Sequence, residues 1–93
     1  MESIIQKEKC CYVCGTTFGL HSHHIFFGNP NRSLSEKYGL KCYLCVLHHT
    51  GSNDAVHRNR DLDLFLKITA QQKYEATYGT REDFIKTFGR SYL

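Results

Sequence analysis

The residues able to do chemistry are crowded into one stretch of the chain. Leu20-His21-Ser22-His23-His24-Ile25-Phe26 lies between Cys11-x2-Cys14 and Leu44-Cys45-x2-His48-His49. Together these runs hold more ligands than one metal ion can use. A structural zinc takes four N or S ligands and is then closed, whereas a catalytic metal has fewer protein ligands and keeps a position open for water or substrate. The pattern therefore predicts two metal sites of different character: a zinc clamp built from two knuckles, and an open, histidine-rich site supported by that clamp.

The first half of the clamp is Cys11-Tyr12-Val13-Cys14-Gly15. Two thiolates at x2 spacing chelate one ion, and the glycine that follows permits the tight turn that aims backbone amides at sulfur. The second half has two readings, because Cys42-x2-Cys45 and Cys45-x2-His48 both have the right spacing. A strand through Leu40, Cys42 and Leu44 buries Cys42 as a small apolar residue, and a clamp closed by His48 leaves His49 to face a separate ion. These grounds favour Cys11, Cys14, Cys45 and His48 over the version with Cys42.

Elements of regular structure must carry these groups into place. Residues 1–9 read as a short arm or frayed helix around Ile4-Ile5, and Cys10 to Gly19 as the first knuckle. Leu20 to Phe27 reads as a strand ended by the turn cluster Gly28-Asn29-Pro30-Asn31. A loop with Ser33, Ser35 and Gly39 leads to a second strand over Leu40-Lys41-Cys42-Tyr43-Leu44. His48 to His57 reads as helix interrupted by a loop. From Asp61 to about Tyr78 the pattern is helical, with Leu62, Phe65, Leu66, Thr69 and Ala70 as its apolar stripe and Gly79 as its stop. Thr80-Arg81-Glu82-Asp83 resembles a capping box that opens a last helix with an apolar face of Phe84, Ile85 and Phe88, ended by Gly89.

Ninety-three residues make one small domain, with the chemistry in residues 10–60 and supporting helices over residues 61–93. A core from so short a chain is marginal and calls for a disulfide or metal staple. The odd count of five cysteines and a start without a secretory pattern favour metal, and no apolar run approaches membrane-spanning length. The expectation is a cytoplasmic protein without a membrane partner, as monomer or homodimer. The net charge of +3 says little by itself, but Arg32, Lys37 and Lys41 follow the histidine run and Arg58 and Arg60 follow His57. Cations thus flank the suspected site, and phosphate is the partner they suggest.

At this point the residues carry a resemblance. Two knuckles enclosing His23-His24-Ile25, with His49 directly after the last zinc ligand, resemble the HNH endonucleases of ββα-metal fold. More narrowly, His23-His24-Ile25-Phe26-x-Gly28, Glu36-Lys37-Tyr38-Gly39-Leu40, Leu44-Cys45-x2-His48-His49 and Phe84-Ile85-Lys86-x-Phe88-Gly89-Arg90 are similar to a group of small HNH proteins of bacteriophages and prophages. The resemblance implies an α+β fold with a zinc-stabilised ββα-metal core and C-terminal helices, working in a bacterial host cell. It implies His23 and His49 as ligands of a catalytic divalent ion (Mg²⁺, Mn²⁺, Ni²⁺ or Zn²⁺), with His24 as general base in hydrolysis of DNA. His57 is a further ligand if a loop across Gly51-Ser52-Asn53 returns it to the ion. The chain departs from the family pattern where the central Asn belongs, reading Tyr38-Gly39-Leu40 instead. A backbone carbonyl near Gly39 is the expected substitute for orienting His24.

The chemistry suits these roles. Phosphodiester hydrolysis needs a base to activate water and a cation to stabilise the charge that develops, and an ordinary imidazole is largely neutral near pH 7. Adjacent residues of an extended strand point opposite ways, so a twist or bulge is expected at His23-His24 if both serve one centre. His21 shares a strand face with His23 but reads as a surface histidine without a role. Arg32 and Arg58 are candidates for phosphate contacts, whereas Tyr12, Phe26 and Phe27 read as packing residues that could also stack on bases. The rival reading is a non-catalytic zinc module of phage origin that binds nucleic acid or protein.

Overall fold

The alternating stretch after Gly39 forms strand β2 at Lys41–Cys45, and the histidine-rich run forms its partner β1 at Leu20–His24. They pair antiparallel from Leu20↔Cys45 to His24↔Lys41. In the computed structural model, which describes residues 2–51 and 55–93, the order is β1, α1 (Asn31–Tyr38), β2, a π-helical turn (Leu47–Gly51), α2 (Arg60–Thr77) and α3 (Arg81–Phe88). The result is a small α+β domain. Residues 52 and 53 of the loop expected to return His57 lie outside the described residues.

The segment between the strands is a helix and not the expected loop. Leu34 and Tyr38, four residues apart, pack against the core, and Gly39 closes α1 in the left-handed conformation (φ 71°) with its N–H turned back to Ser35 and Glu36 carbonyls. Ser35, a residue type that usually favours turns, is fully buried because its hydroxyl accepts from Phe26 N–H (3.0 Å) and donates to Phe26 carbonyl oxygen (2.7 Å). The same two bonds explain why β1 stops at His24, short of the expected Phe27: Ser35 takes over the backbone groups of Phe26 that a longer ladder would use.

The C-terminal helices follow the expected boundaries closely. Asn59 caps α2 by accepting from Leu62 N–H at 3.1 Å, and Thr80 with Asp83 forms the capping box of α3. Their buried faces differ from the expected ones. The stripe of α2 runs through Leu62, Leu66, Ala70, Gln71 and Tyr74, while Phe65 is 57% exposed. Steps of four residues advance about 40° around a helix, so a stripe following them turns away from Phe65, which trails Leu62 by about 60°. On α3, Phe84 and Phe88 are buried and Ile85 faces outward. Phe26, Phe84, Phe88, Tyr74 and Tyr92 form a connected aromatic cluster that joins the sheet to both helices.

Among its described residues the N-terminal arm contains no helix, but it is tied to β2 and the turn before it. Ile4 N–H donates to Gly39 carbonyl oxygen (2.9 Å), Tyr43 N–H donates to Gln6 Oε1 (2.9 Å), and Ser3 Oγ bonds the Lys41 carbonyl. Among the described residues no helix is long and apolar enough to cross a membrane.

Candidate metal centres and the histidine beside them

The two knuckles meet as the spacing requires. Gly15, at φ 79°, donates its N–H to Cys11 carbonyl oxygen (2.8 Å) and closes the first turn, and β2 delivers Cys45 at its end, with His48 on the π-helical turn just beyond. Cys14 Sγ and Cys45 Sγ lie 3.8 Å apart, and His48 Nδ1 lies 3.2 Å from Cys45 Sγ and 3.8 Å from Cys11 Sγ. Ligands placed at about 2.0–2.3 Å on a tetrahedral ion are separated by roughly 3.3–3.8 Å. Cys11, Cys14, Cys45 and His48 are therefore positioned to hold a metal ion.

Electrostatics fit that assignment. Burial raises the Cys11 thiol, but backbone amides in hydrogen-bonding contact, Cys14, Cys45 and Val13, outweigh it and bring the pKa down to about 6. At Cys14 the Thr16 amide lowers the pKa, yet burial and the neighbouring Cys11 and Cys45 sulfurs leave it raised. Crowded thiols that cannot all ionise in isolation are a good nest for a cation, which favours the thiolate at each. Cys42 is different. It is 3% exposed in the core, and burial with the nearby Cys11 pushes its pKa up to about 12. The clamp closed by His48 is thus the one the fold assembles, and Cys42 is a small core residue.

His23, His49 and His57 form the second group, with one ligand atom from each inside 4.8 Å of the others. His23 is 2% exposed, and its Nε2 is a buried side-chain nitrogen with no hydrogen-bond partner among the described residues. Such an orphan is costly unless something occupies it. His49 Nε2 and His57 Nε2 lie 3.3 Å apart, the spacing of two nitrogens held at about 2.0 Å by one tetrahedral ion. Burial first, and then the neighbouring His49 and His57, lower the His23 pKa to about 3, while burial, His57 and His21 lower that of His49. Both rings are kept neutral, the form that binds metal. His57 reaches the group because Ala55 and Val56 are buried anchors and Val56 N–H donates to His48 carbonyl oxygen at 2.7 Å.

His24 stands apart from this trio. The ladder runs through His23↔Cys42 and His24↔Lys41 without a bulge, so the expected distortion is absent and adjacent side chains point to opposite faces. His23 faces the trio, while His24 lines a shallow cleft with Arg32, Ser33 and Glu36. Glu36 Oε1 lies 3.1 Å from His24 Nε2, and its other oxygen accepts from Lys41 Nζ at 2.7 Å. Lys41 and then His24 hold the Glu36 carboxyl at about 2, far below the carboxylate range. An ionised carboxylate only accepts, so His24 Nε2 carries a hydrogen, and in the neutral ring the lone pair is then on Nδ1. The group in contact with His24 is thus the Glu36 carboxylate, where a backbone carbonyl near Gly39 was expected; the Gly39 carbonyl accepts from Ile4 N–H.

The remaining residues fall around these centres. Arg32 is exposed on the rim of the His24 cleft, and Arg58 is exposed beside His57. Phe26 is core, whereas Phe27 is 44% exposed, sits 5.4 Å from the His57 ring and lies under Lys67 Nζ at 4.5 Å. His21 is not an isolated surface residue, for its Nδ1 lies 2.9 Å from His49 Nδ1. The period of two that places His21 and His23 on one strand face was the available signal. Glu36 had none, because its reach to His24 depends on α1. Comparison of the chain with family models, with curated proteins and with solved structures gives no match in any of the three.

Proposed function

We propose that the protein is a metal-dependent endonuclease of the HNH, ββα-metal type that hydrolyses phosphodiester bonds in DNA. The observation that carries this reading is the buried Nε2 of His23, without a hydrogen-bond partner among the described residues, converging with His49 and His57 immediately before a second histidine whose Nε2 is committed to Glu36. A metal ligand and an oriented base are thereby consecutive in sequence. The first group, Cys11, Cys14, Cys45 and His48, takes a structural zinc, since its four positions leave none for substrate.

In this reading His23, His49 and His57 hold the catalytic ion, which supplies charge stabilisation at the phosphate when bound. Because His23 and His24 point to opposite faces of β1, the scissile phosphate has to lie across the end of the strand, where the ladder stops at His24, to meet both the ion and the base; there His24 Nδ1 accepts a proton from the attacking water, and Glu36 holds the ring and stabilises the imidazolium that results. Lys41 keeps Glu36 ionised, and Arg32 contributes positive charge on the cleft rim where a phosphate approaches. The water oxygen adds to phosphorus, one P–O ester bond breaks, the leaving oxygen takes a proton from solvent water, and His24 returns its proton to solvent.

The test is incubation of supercoiled plasmid with zinc-clamped protein, adding Mg²⁺, Mn²⁺, Ni²⁺ and Zn²⁺ separately, beside a His24→Ala protein. Nicked or linear product from wild type alone supports the reading. Absence of product with every ion would sink it in favour of a non-catalytic, zinc-stabilised binding module.

A further inference from the structure

We infer that His21 is a positioning residue for the histidine metal centre, acting through His49. The inference rests on the reading of His23, His49 and His57 as a metal site. Both ring nitrogens of His49 have a neighbour: Nε2 lies 3.3 Å from His57 Nε2, and Nδ1 lies 2.9 Å from His21 Nδ1. Two imidazole nitrogens at that distance share one hydrogen. If it sits on His49 Nδ1, then His49 Nε2 carries the lone pair and faces the trio, ready to bind an ion. His21 Nδ1 is the acceptor that selects this tautomer, and the two rings meet nearly edge-on, with an interplanar angle of 87°.

The strand supplies the precision. His21 and His23 are two residues apart on β1 and lie on one face, opposite Leu44 and Cys42 of β2. The element that carries the buried ligand His23 therefore also carries the group that sets the ring of His49, which belongs to the separate Leu47–Gly51 turn. A turn of five residues gives little rigidity of its own, and a fixed acceptor on the sheet limits rotation of the His49 ring. Ligating histidines are commonly held this way through their second nitrogen, and loss of the partner lowers metal affinity by about 10- to 100-fold. Here the partner is another histidine. His21 is exposed, so its truncation leaves no core cavity.

The experiment is a competition titration of Co²⁺ against a chromogenic chelator, using protein whose cysteine site is already filled with zinc. Wild type, His21→Ala, His21→Asn and His23→Ala are compared, with ¹⁵N spectra of the zinc-loaded histidine site. His21→Ala should bind about 10- to 100-fold more weakly than wild type, with unchanged zinc at the cysteines. His21→Asn, whose Oδ1 replaces Nδ1 as acceptor, should recover most of the loss. The spectra should show His49 bound through Nε2 with its hydrogen on Nδ1. Equal affinity of wild type and His21→Ala would overturn the positioning role alone. A metal-bound nitrogen on His21 would overturn it by making His21 a ligand. If wild type binds no better than His23→Ala, the trio is not a metal site and both readings fall.

Discussion

Glu36 Oε1 lies 3.1 Å from His24 Nε2, while Glu36 Oε2 accepts from Lys41 Nζ at 2.7 Å, and Lys41 is the cross-strand partner of His24. A carboxylate on α1 is thus clamped between two residues that the sheet already sets side by side. Replacing Glu36 by Ala should lower the cleavage rate by roughly 10- to 100-fold, part of the 10²–10⁴ that a positioned base contributes. KM should change little, because the lost contact acts on the ring and not on DNA. Glu36→Gln, which keeps an acceptor oxygen, should lie between. Single-turnover kinetics at saturating protein decide it, and an unaltered rate in Glu36→Ala would show that His24 needs no such partner.

One zinc per chain is expected at Cys11, Cys14, Cys45 and His48. Because structural zinc contributes on the order of 10 kcal/mol of apparent binding energy to folding, Cys11→Ser should lose the ion and most of its cooperative unfolding transition. His48→Ala should also lose zinc. Cys42→Ala should keep a full equivalent, since Cys42 packs in the core. Elemental analysis with thermal melts distinguishes these outcomes, and zinc loss in Cys42→Ala would contradict the assigned clamp.

Acid should destabilise the protein through His23. Its pKa falls from an ordinary 6.5 to about 3 on folding, chiefly through burial. Between those values the unfolded chain binds a proton that the folded chain refuses, so stability rises with pH across this window and is lost as pH falls from about 6.5 toward 3. A bound ion leaves the sign unchanged, because protons compete with it for the same nitrogen. The melting temperature of wild type should therefore decline more steeply over that window than that of His23→Gln. Parallel profiles would refute the assignment.

DNA affinity should come mainly from phosphate contacts by cations at the two rims, Arg32 beside His24 and Arg58 beside His57. Removal of either should weaken binding similarly on unrelated duplexes and flatten the salt slope by about one unit. Anisotropy titrations over a salt series measure this. Strong preference for one sequence would point to base readout instead.

The sequence by itself narrowed the clamp to Cys11, Cys14 and Cys45 with either His48 or Cys42, named His23, His49 and His57 as candidate ligands, and determined the boundaries of the two C-terminal helices. Ligand chemistry demands particular residue types at short spacings, and such spacings are local: Cys11 with Cys14, Cys45 with His48, Thr80 with Asp83. What only the tertiary structure decided is which groups meet across elements. Glu36 reaches His24 because the segment after Pro30 coils into α1, held by the Ser35 hydroxyl on the Phe26 backbone, and a serine-rich stretch gives no periodic sign of that. The side on which Phe65 falls was equally hidden, since the choice between steps of three and four along α2 depends on where the sheet and α3 lie. The same holds for His21 and His49, which lie 28 positions apart and touch because β1 and the turn after β2 converge. Local spacing fixes which atoms can bind a metal, but the orientation of each ring is set by contacts that exist only once distant segments have packed.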